Sequence, residues 1–436
     1  GGGICFRCIW FVLVTKENVT IIMLAIAKLP EEVPRGPVGP LMHRVSNSVA
    51  VDTATNCVAY CASGDDENGV AILLRVKPNS PGTDAGAGAG AGRTRPSRPL
   101  KLSRVGQRRG VQRVLCFTEA GASFPSYLVA KLADDEEGSL ALLAAGPELE
   151  TVRVHTSDGA PRSPFQGLQG SLRHIKGACR GRVMALISRS TVDDSSVVTI
   201  LHGAGTRWDV FATVTRANVT LDTTTMHDDV RTRVGASGFS FRLTAITLGG
   251  DGTIDGSTIF VYEESLSVVF TFRMSRGREG GAGAGAGAGA GSAQLVGAFP
   301  MRDEKVHDID LQGSTLLYVH PLPRLSVSPE IAEAYGLDPE ADADARVQVS
   351  LLDMEKPYER PQLHQNLQVY VDRGRGHVFK LAFPLGIFLF SVPFTPETRT
   401  TCALFEFDDE VRMKCMSSPR KAFIVAVVRA QERARA

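Results

Sequence analysis

The sequence lacks the features that would place the chain in a specialised class of proteins. It has 8 cysteines in 436 residues, too few for a scaffold held together by disulfides. Its 48 basic and 47 acidic residues nearly balance, so the chain as a whole has no strong attraction for nucleic acid or anionic membrane. The apolar segments 4–14 and 19–27 are each shorter than the roughly 20 residues of a transmembrane helix. We therefore expect no transmembrane span.

The cysteines show no complete metal-binding pattern. Cys5 and Cys8 have the spacing of zinc ligands, but no second pair lies nearby. Cys57 and Cys61 fall on one face of a predicted strand, where packing is the simpler interpretation. We predict mostly buried free thiols, which favours a reducing compartment. We expect this compartment to be the cytoplasm, with the nucleus as the alternative.

Three further motifs are incomplete as well. Residues 251–256 match the beginning of a calcium loop, but Tyr262 stands where the closing Glu is needed, so a hairpin is predicted. The Glu304–His307 spacing needs a helix to bind metal, and its surroundings predict a polar loop. Acidic residues beside His227 predict a solvated connection. The sequence thus predicts no catalytic residue, metal site or cofactor, and it favours a non-catalytic protein over an enzyme.

Composition divides the chain into a long β-rich region and its flanks. The first Met is Met23, so we hypothesise that the residues before it are translated upstream sequence, which N-terminal sequencing of native protein would test. Two Ala-Gly runs predict flexible inserts in surface loops, because neither run can build a core. A short helix is predicted at 329–335. The predicted organisation is an N-terminal extension at 1–40, a propeller-like domain at 41–430 with inserts at 85–92 and 280–291, and a tail at 431–436.

Short runs of β-branched and aromatic residues, bounded by polar turns, dominate the region 41–430 and predict antiparallel strands. An apolar strand, an acidic or Gly-containing turn and a second apolar strand recur about every 60 residues. The second strands begin near Val70, Ser139, Val197 and Thr258. Continuous apolar runs such as 71–74 predict strands buried on both faces. We predict an all-β propeller of about six to seven blades, with two β-sandwich domains as the alternative.

This hairpin pattern over 41–430, together with the pair Trp208-Asp209, resembles the WD40-like β-propeller superfamily. In that family the Trp-Asp pair ends the third strand of a blade, whereas here it opens a predicted strand. No Gly-His pair lies at the usual distance upstream. The resemblance implies a protein-binding scaffold without catalytic residues.

One basic stretch is the candidate contact site. It contains eight basic residues within 21 positions and no acidic residue. A solvated loop and a contact for RNA, anionic lipid or an acidic partner are both compatible with it, and no aromatic residue suggests base stacking. The residues are Arg93, Arg95, Arg98, Lys101, Arg104, Arg108, Arg109 and Arg113.

The pattern as a whole favours a non-catalytic protein-interaction scaffold within a larger intracellular assembly, with other proteins as partners. The alternative is a propeller enzyme or carbohydrate-binding protein with a site at the mouth of the channel. That alternative requires charged residues to converge in the central channel.

Overall fold

The fold is described from a computed structural model of the chain. It describes residues 8–14, 19–25, 27–28, 49–62, 69–77, 101–122, 124–132, 140–155, 161–166, 168, 173–190, 193–216, 219, 228–237, 240–276, 291–301, 305–321, 346–355, 362–368, 375–393, 401–405, 407, 411 and 415. Among them, strands dominate. None of the helices in this part of the chain is long and apolar enough to cross a membrane.

An N-terminal hairpin precedes six sheets, which we call blades 1 to 6. The hairpin and the strand that follows it are β1 (Cys8–Val14), β2 (Val19–Ala25) and β3 (Ala27–Lys28). Blade 1 contains β4 (Val49–Asp52), β5 (Cys57–Ala62), β6 (Val70–Lys77) and β7 (Lys101–Arg109). Blade 2 contains β8 (Val111–Phe117), β9 (Tyr127–Leu132) and β10 (Leu140–Ala144).

Blade 3 follows a short hairpin, β11 (Val154–His155) and β12 (Pro161–Arg162). It contains β13 (Phe165–Gln166), β14 (Arg173–Arg180), β15 (Val183–Arg189), β16 (Ser196–Ala204) and β17 (Arg207–Val214). The helix α1 (Asp228–Ser237) leads to blade 4. Blade 4 contains β18 (Leu243–Gly250), β19 (Ser257–Glu263), β20 (Val268–Ser275) and β21 (Ser292–Pro300).

Blade 5 contains β22 (Asp308–Gln312), β23 (Thr315–Pro321), β24 (Arg346–Asp353) and β25 (Gln362–Gln368). Blade 6 contains β26 (Arg375–Ala382), β27 (Gly386–Pro393) and β28 (Thr401–Phe405). Consecutive strands of a blade pair antiparallel. In addition, β13 joins blade 3 in parallel beside β17, and β3 joins blade 6 beside β28.

The blades form a closed ring. We call β4, β8, β14, β18, β22 and β26 the inner strands, because each of them is the edge of its blade that contacts the inner strand of the next blade. The strands of each blade are counted from its inner strand. The cycle closes where β26 contacts β4. A closed ring of six antiparallel sheets is a six-bladed β-propeller, so the predicted fold class is confirmed at the lower of its two blade numbers. The predicted N-terminal extension supplies the fourth strand of blade 6.

Six apolar clusters fill the spaces between neighbouring blades, one cluster to each space. Strand β19 shows why: all seven of its residues are buried. Ile259 and Val261 pack toward blade 3, whereas Phe260 and Tyr262 pack toward blade 5. Because side chains alternate along a strand, an unbroken apolar run serves two interfaces, and each large side chain contributes about 1.5 to 3 kcal/mol. The same holds for 71–74, as predicted.

One sequence prediction about the repeat is wrong. The recurring unit is out of phase: Val70 begins β6 and Val197 lies in β16, both third strands, but Thr258 lies in β19, a second strand. Second and third strands are equally apolar, so their composition does not distinguish them. Of the solvated connection predicted at 222–229, Asp228 and Asp229 are exposed and begin the helix α1, and residues 222–227 lie outside the described residues. The helix predicted at 329–335 lies outside the described residues.

The turns alternate between two rims of the ring, since successive strands of a blade run in opposite directions. We call the rim that carries the turns after first and third strands the first rim, and the opposite one the second rim. The hairpin predicted at 251–256 joins β18 to β19 on the first rim. There the Asp251 carboxylate accepts hydrogen bonds from the Thr253 backbone N–H (2.9 Å) and hydroxyl (2.7 Å).

Candidate functional site

The inner strands converge on the axis of the ring and enclose a cavity of about 30 Å³. Its wall combines apolar side chains from β4, β8 and β18 with charged side chains from three other blades. The charged residues are Lys176 on β14, Asp308 on β22 and Lys380 on β26. A space of this size holds about one or two water molecules. We call this cavity and its wall the central channel.

Asp308 joins blade 5 to blade 6 in the channel wall. Its carboxylate accepts hydrogen bonds from Lys380 Nζ at 3.0 and 3.3 Å and from the backbone N–H of Leu381 at 2.9 Å. Asp308 is buried, so its charge depends on these donors for the stabilisation that water would otherwise supply. The pair is therefore a structural contact between two blades.

Lys176 is the cation with the least compensation in the channel. Its ammonium group donates a hydrogen bond to the backbone oxygen of Thr244, which links blade 3 to blade 4. Burial lowers the pKa of Lys176 to about 8; the charge of Asp308 opposes this shift, while Lys380 and Arg113 add to it. A substantial fraction of Lys176 is consequently neutral slightly above physiological pH.

Burial dominates at Asp310, as it does at Lys176, whereas neighbouring charges together outweigh it at Lys380. Burial raises the pKa of Asp310, although the positive charge of Lys380 counteracts it. Burial by itself would lower the pKa of Lys380, but the charge and hydrogen bond of Asp308 outweigh it, and the pKa lies above its ordinary value. Asp310 also accepts a hydrogen bond from the Leu311 backbone N–H at 2.8 Å and from the Phe383 backbone N–H at 3.4 Å. The carboxylates therefore serve mainly to hold inner strands together.

The channel offers limited room for chemistry. Its cavity is far smaller than the roughly 300 to 1,000 Å³ of a small-molecule pocket. No group of three or more His, Cys, Asp or Glu side chains that could hold a metal ion occurs among the described residues. The ring of His307 stacks at a tilt on Phe379, with the centroids 5.0 Å apart, so it too packs in the channel wall.

Comparisons with known proteins find similarity only at a low level. No protein-family model matches the sequence, and no curated protein matches it significantly. A 6-phosphogluconolactonase-like protein from Bacteroides uniformis is 9% identical with a TM-score of 0.37, over 86% of this chain and 85% of that one. Sqt1 from Chaetomium thermophilum is 9% identical with a TM-score of 0.36, over 91% and 92% of the two chains. The six-bladed fold rests on the strand order and the closed ring alone.

The basic stretch predicted as a contact loop is divided by the fold. Arg93, Arg95 and Arg98 lie outside the described residues. The loop interpretation is wrong from residue 101 onward: Lys101, Arg104, Arg108 and Arg109 lie on β7, the outer strand of blade 1, and Arg113 lies on the inner strand β8. The cause is that an outer strand has one neighbour and tolerates many charged side chains.

Of the basic residues in this stretch whose side chains are described, Arg104 and Arg109 are exposed. Arg108 is half-buried, and its guanidinium donates a hydrogen bond to the backbone oxygen of Leu149 at 3.0 Å. Arg113 is also half-buried and contributes to the positive charge near Lys176. The structure therefore separates the stretch into an exposed edge on β7 and a half-buried residue on the inner strand β8.

Sequence reasoning missed the channel residues because they lie far apart in the chain. Asp308 and Asp310 directly follow His307 in the segment predicted as a polar loop, and that prediction is wrong for 308–310, which begin β22. Lys176 and Lys380 belong to no motif in the sequence. One signal was available: alternation of charged and apolar residues, as in Asp308-Ile-Asp-Leu311, is typical of a strand with one polar face.

Proposed function

We propose that the chain is a non-catalytic protein-interaction scaffold in an intracellular assembly. The observation that supports this proposal is the narrow central channel, whose charged side chains are engaged in contacts between blades. Partners then bind to the rims, where turns of varied length project from a rigid ring. The propeller acts as a platform that holds these turns in fixed relative positions.

The state of the cysteines supports an intracellular, cytoplasmic location. Cys57, Cys61, Cys116, Cys402 and Cys415 are buried free thiols. Burial raises the pKa of Cys116 and of Cys415 to about 12, so both remain protonated and unreactive at neutral pH. Thiols of this kind suit a reducing compartment.

The scaffold proposal is tested by mapping where a purified partner binds. We expect affinity purification of the full chain, followed by cross-linking of the reconstituted complex and mass spectrometry, to give cross-links on one rim. The channel variant Lys176→Met should bind the same partner with unchanged affinity. Loss of binding in that variant, or cross-links confined to the channel mouth, would contradict the proposal.

A second candidate function is a propeller enzyme or carbohydrate-binding protein with its site at the channel mouth. The specific observation in its favour is Lys176, an amine with a pKa of about 8 beside Asp308. This candidate predicts turnover or glycan binding that Lys176→Met abolishes and that Arg231→Gln, an exposed substitution on α1, leaves intact. Screening the full chain against a glycan array and a panel of small substrates would decide between the two.

A further inference from the structure

The first rim of blades 3 and 4 carries a group of cationic side chains from separate turns. Arg182 lies in the turn between β14 and β15, His202 near the end of β16, Arg207 at the start of β17, and Arg276 just after β20. We call these four residues the basic rim. The three arginines are exposed and His202 is half-buried. The group spans two blades, so its arrangement depends on the ring and not on one local motif.

These cations are weakly neutralised. Arg182 makes no hydrogen bond or ion pair through its side chain with any described residue. Arg207 Nε lies 3.4 Å from Asp209 Oδ2, and Arg276 Nε lies 3.8 Å from Asp255 Oδ2. All four of these side chains are at least half exposed, and ion pairs of this kind contribute little and exchange readily for a stronger anion.

The titration of His202 reports the local potential. Burial lowers the pKa of His202, and the positive charges of Arg182 and Arg276 lower it further, whereas Asp209 on the paired strand opposes them. Each of the two arginines lowers the pKa by more than Asp209 raises it, so positive charge prevails around the imidazole. Asp255, another carboxylate of this rim, is held by Arg276, and the carboxylate of Asp251 accepts hydrogen bonds from Thr253 in its own turn.

The backbone that carries Arg182 is fixed before any ligand arrives. The Arg182 N–H donates to the Gly252 oxygen at 2.8 Å, and the Arg182 oxygen accepts from the Gly203 N–H at 3.0 Å. Gly181 has a φ of +56° and lies so close to Gly252 that a Cβ there would come within 2.8 Å of the Gly252 Cα. Only glycine fits this contact, and the result is a rigid turn that costs little further entropy on binding.

We propose that the basic rim is a binding site for a phosphate monoester group, with Arg182, Arg276 and His202 as its donors. Guanidinium groups match the geometry of phosphate oxygens and donate two hydrogen bonds at once. A dianion gains from two arginines on neighbouring blades and displaces the weak contact of Arg276 with Asp255. This site goes beyond the scaffold function and does not require it.

The test follows His202 by NMR in the full chain, with labelled histidine, during titration with inorganic phosphate at low salt. We expect saturable shifts of the His202 resonances and a higher pKa of His202 in the bound state, because a dianion stabilises the imidazolium. Arg182→Gln and Arg276→Gln should each weaken phosphate binding by about tenfold or more, the size of one charge-assisted hydrogen bond. Arg231→Gln, on α1 at the second rim, is the matched control and should bind normally.

Two further titrations, with a phosphoserine peptide and with its unphosphorylated form, decide whether the phosphate group belongs to a protein partner or to a free ester. A phosphoserine peptide that binds more tightly than phosphate, while its unphosphorylated form does not bind, assigns the group to a protein partner; equal affinities assign it to a free phosphate ester. Either result supports the site. Shifts that do not saturate, or shifts that survive unchanged in both arginine variants, would overturn it. Thermal unfolding of each variant checks that the fold is intact.

Discussion

In the central channel, Lys380 and Asp308 lie 3.0 Å apart with 26% and 9% of their side chains exposed, whereas on the basic rim Arg276 and Asp255 lie 3.8 Å apart with 66% and 67% exposed. The channel pair has lost most of its hydration, and Asp308 accepts a further hydrogen bond from the backbone N–H of Leu381. The rim pair keeps its water and can exchange partners. Similar chemical groups thus stabilise the ring in one place and remain available for a ligand in the other.

The largest expected effect comes from the channel. Asp308→Asn removes the charge that stabilises Lys380 and weakens the contact with the Leu381 N–H, leaving a partly buried cation without its counterion. We expect the free energy of unfolding to fall by about 3 kcal/mol. Denaturant unfolding with tryptophan fluorescence measures it. A loss of less than about 1 kcal/mol would show that the channel pair is no stronger than a surface pair.

The substitution Lys176→Met, also in the channel, should increase the stability of the fold. The pKa of Lys176 is about 8 in the folded chain and 10.5 ordinarily, so protonation of Lys176 shifts the folding equilibrium toward the unfolded state. That cost is complete below pH 8 and disappears as the pH rises through 10.5. We expect the variant to be more stable than the parent by about 1 to 2 kcal/mol at pH 7, after loss of the hydrogen bond to Thr244.

The pH dependence distinguishes this cause from simple packing. The advantage of Lys176→Met should shrink between pH 8 and pH 10, as the parent protein loses its buried charge. Unfolding curves at pH 7, 8.5 and 10 measure it. An advantage that stays constant across this range would be due to packing, and a variant less stable than the parent at pH 7 would contradict the interpretation.

Among the described residues of the basic stretch, the exposed candidates for the predicted polyanion contact are Arg104 and Arg109 on β7. Replacing Arg104 and Arg109 with Ser should weaken binding of single-stranded RNA by about tenfold at low salt. The slope of log K against log salt should become shallower by about 1.4, since each phosphate contact contributes about 0.7. Filter binding over a salt series measures this, with Arg231→Gln as the control. An unchanged slope would exclude β7 as the contact.

The strands that pack on both sides were predictable from sequence, whereas the inner strands β14 and β22 were not. Runs such as 71–74 and 259–262 are apolar throughout, because they fill two interfaces. The inner strand β14 places Lys176 in the channel wall, and its sequence contains no apolar run. Composition reports how many apolar interfaces a strand serves, and β14 and β22 also border the charged part of the channel wall.

The site was less predictable than the fold for a related reason. Lys176, Asp308 and Lys380 belong to blades 3, 5 and 6 and meet only because the ring closes. The ring closes where β26 contacts β4, which are more than 300 residues apart in the chain, and Ala27 and Lys28, in a segment predicted as an extension, add the outer strand beside β28. Local sequence carries the strands, but long-range closure decides which charges become neighbours.

The smallest effect is expected from Asp255→Asn on the basic rim. The substitution removes an exposed partner of Arg276, so the free energy of unfolding should change by less than about 0.5 kcal/mol. It should nevertheless strengthen phosphate binding about twofold to threefold, because Arg276 no longer has a competing carboxylate. Denaturant unfolding and the phosphate titration give the two readouts on one variant. A clear loss of stability would make the rim pair structural, like the pair in the channel, and weaker phosphate binding would mean that Asp255 positions Arg276 for the ligand instead of competing for it.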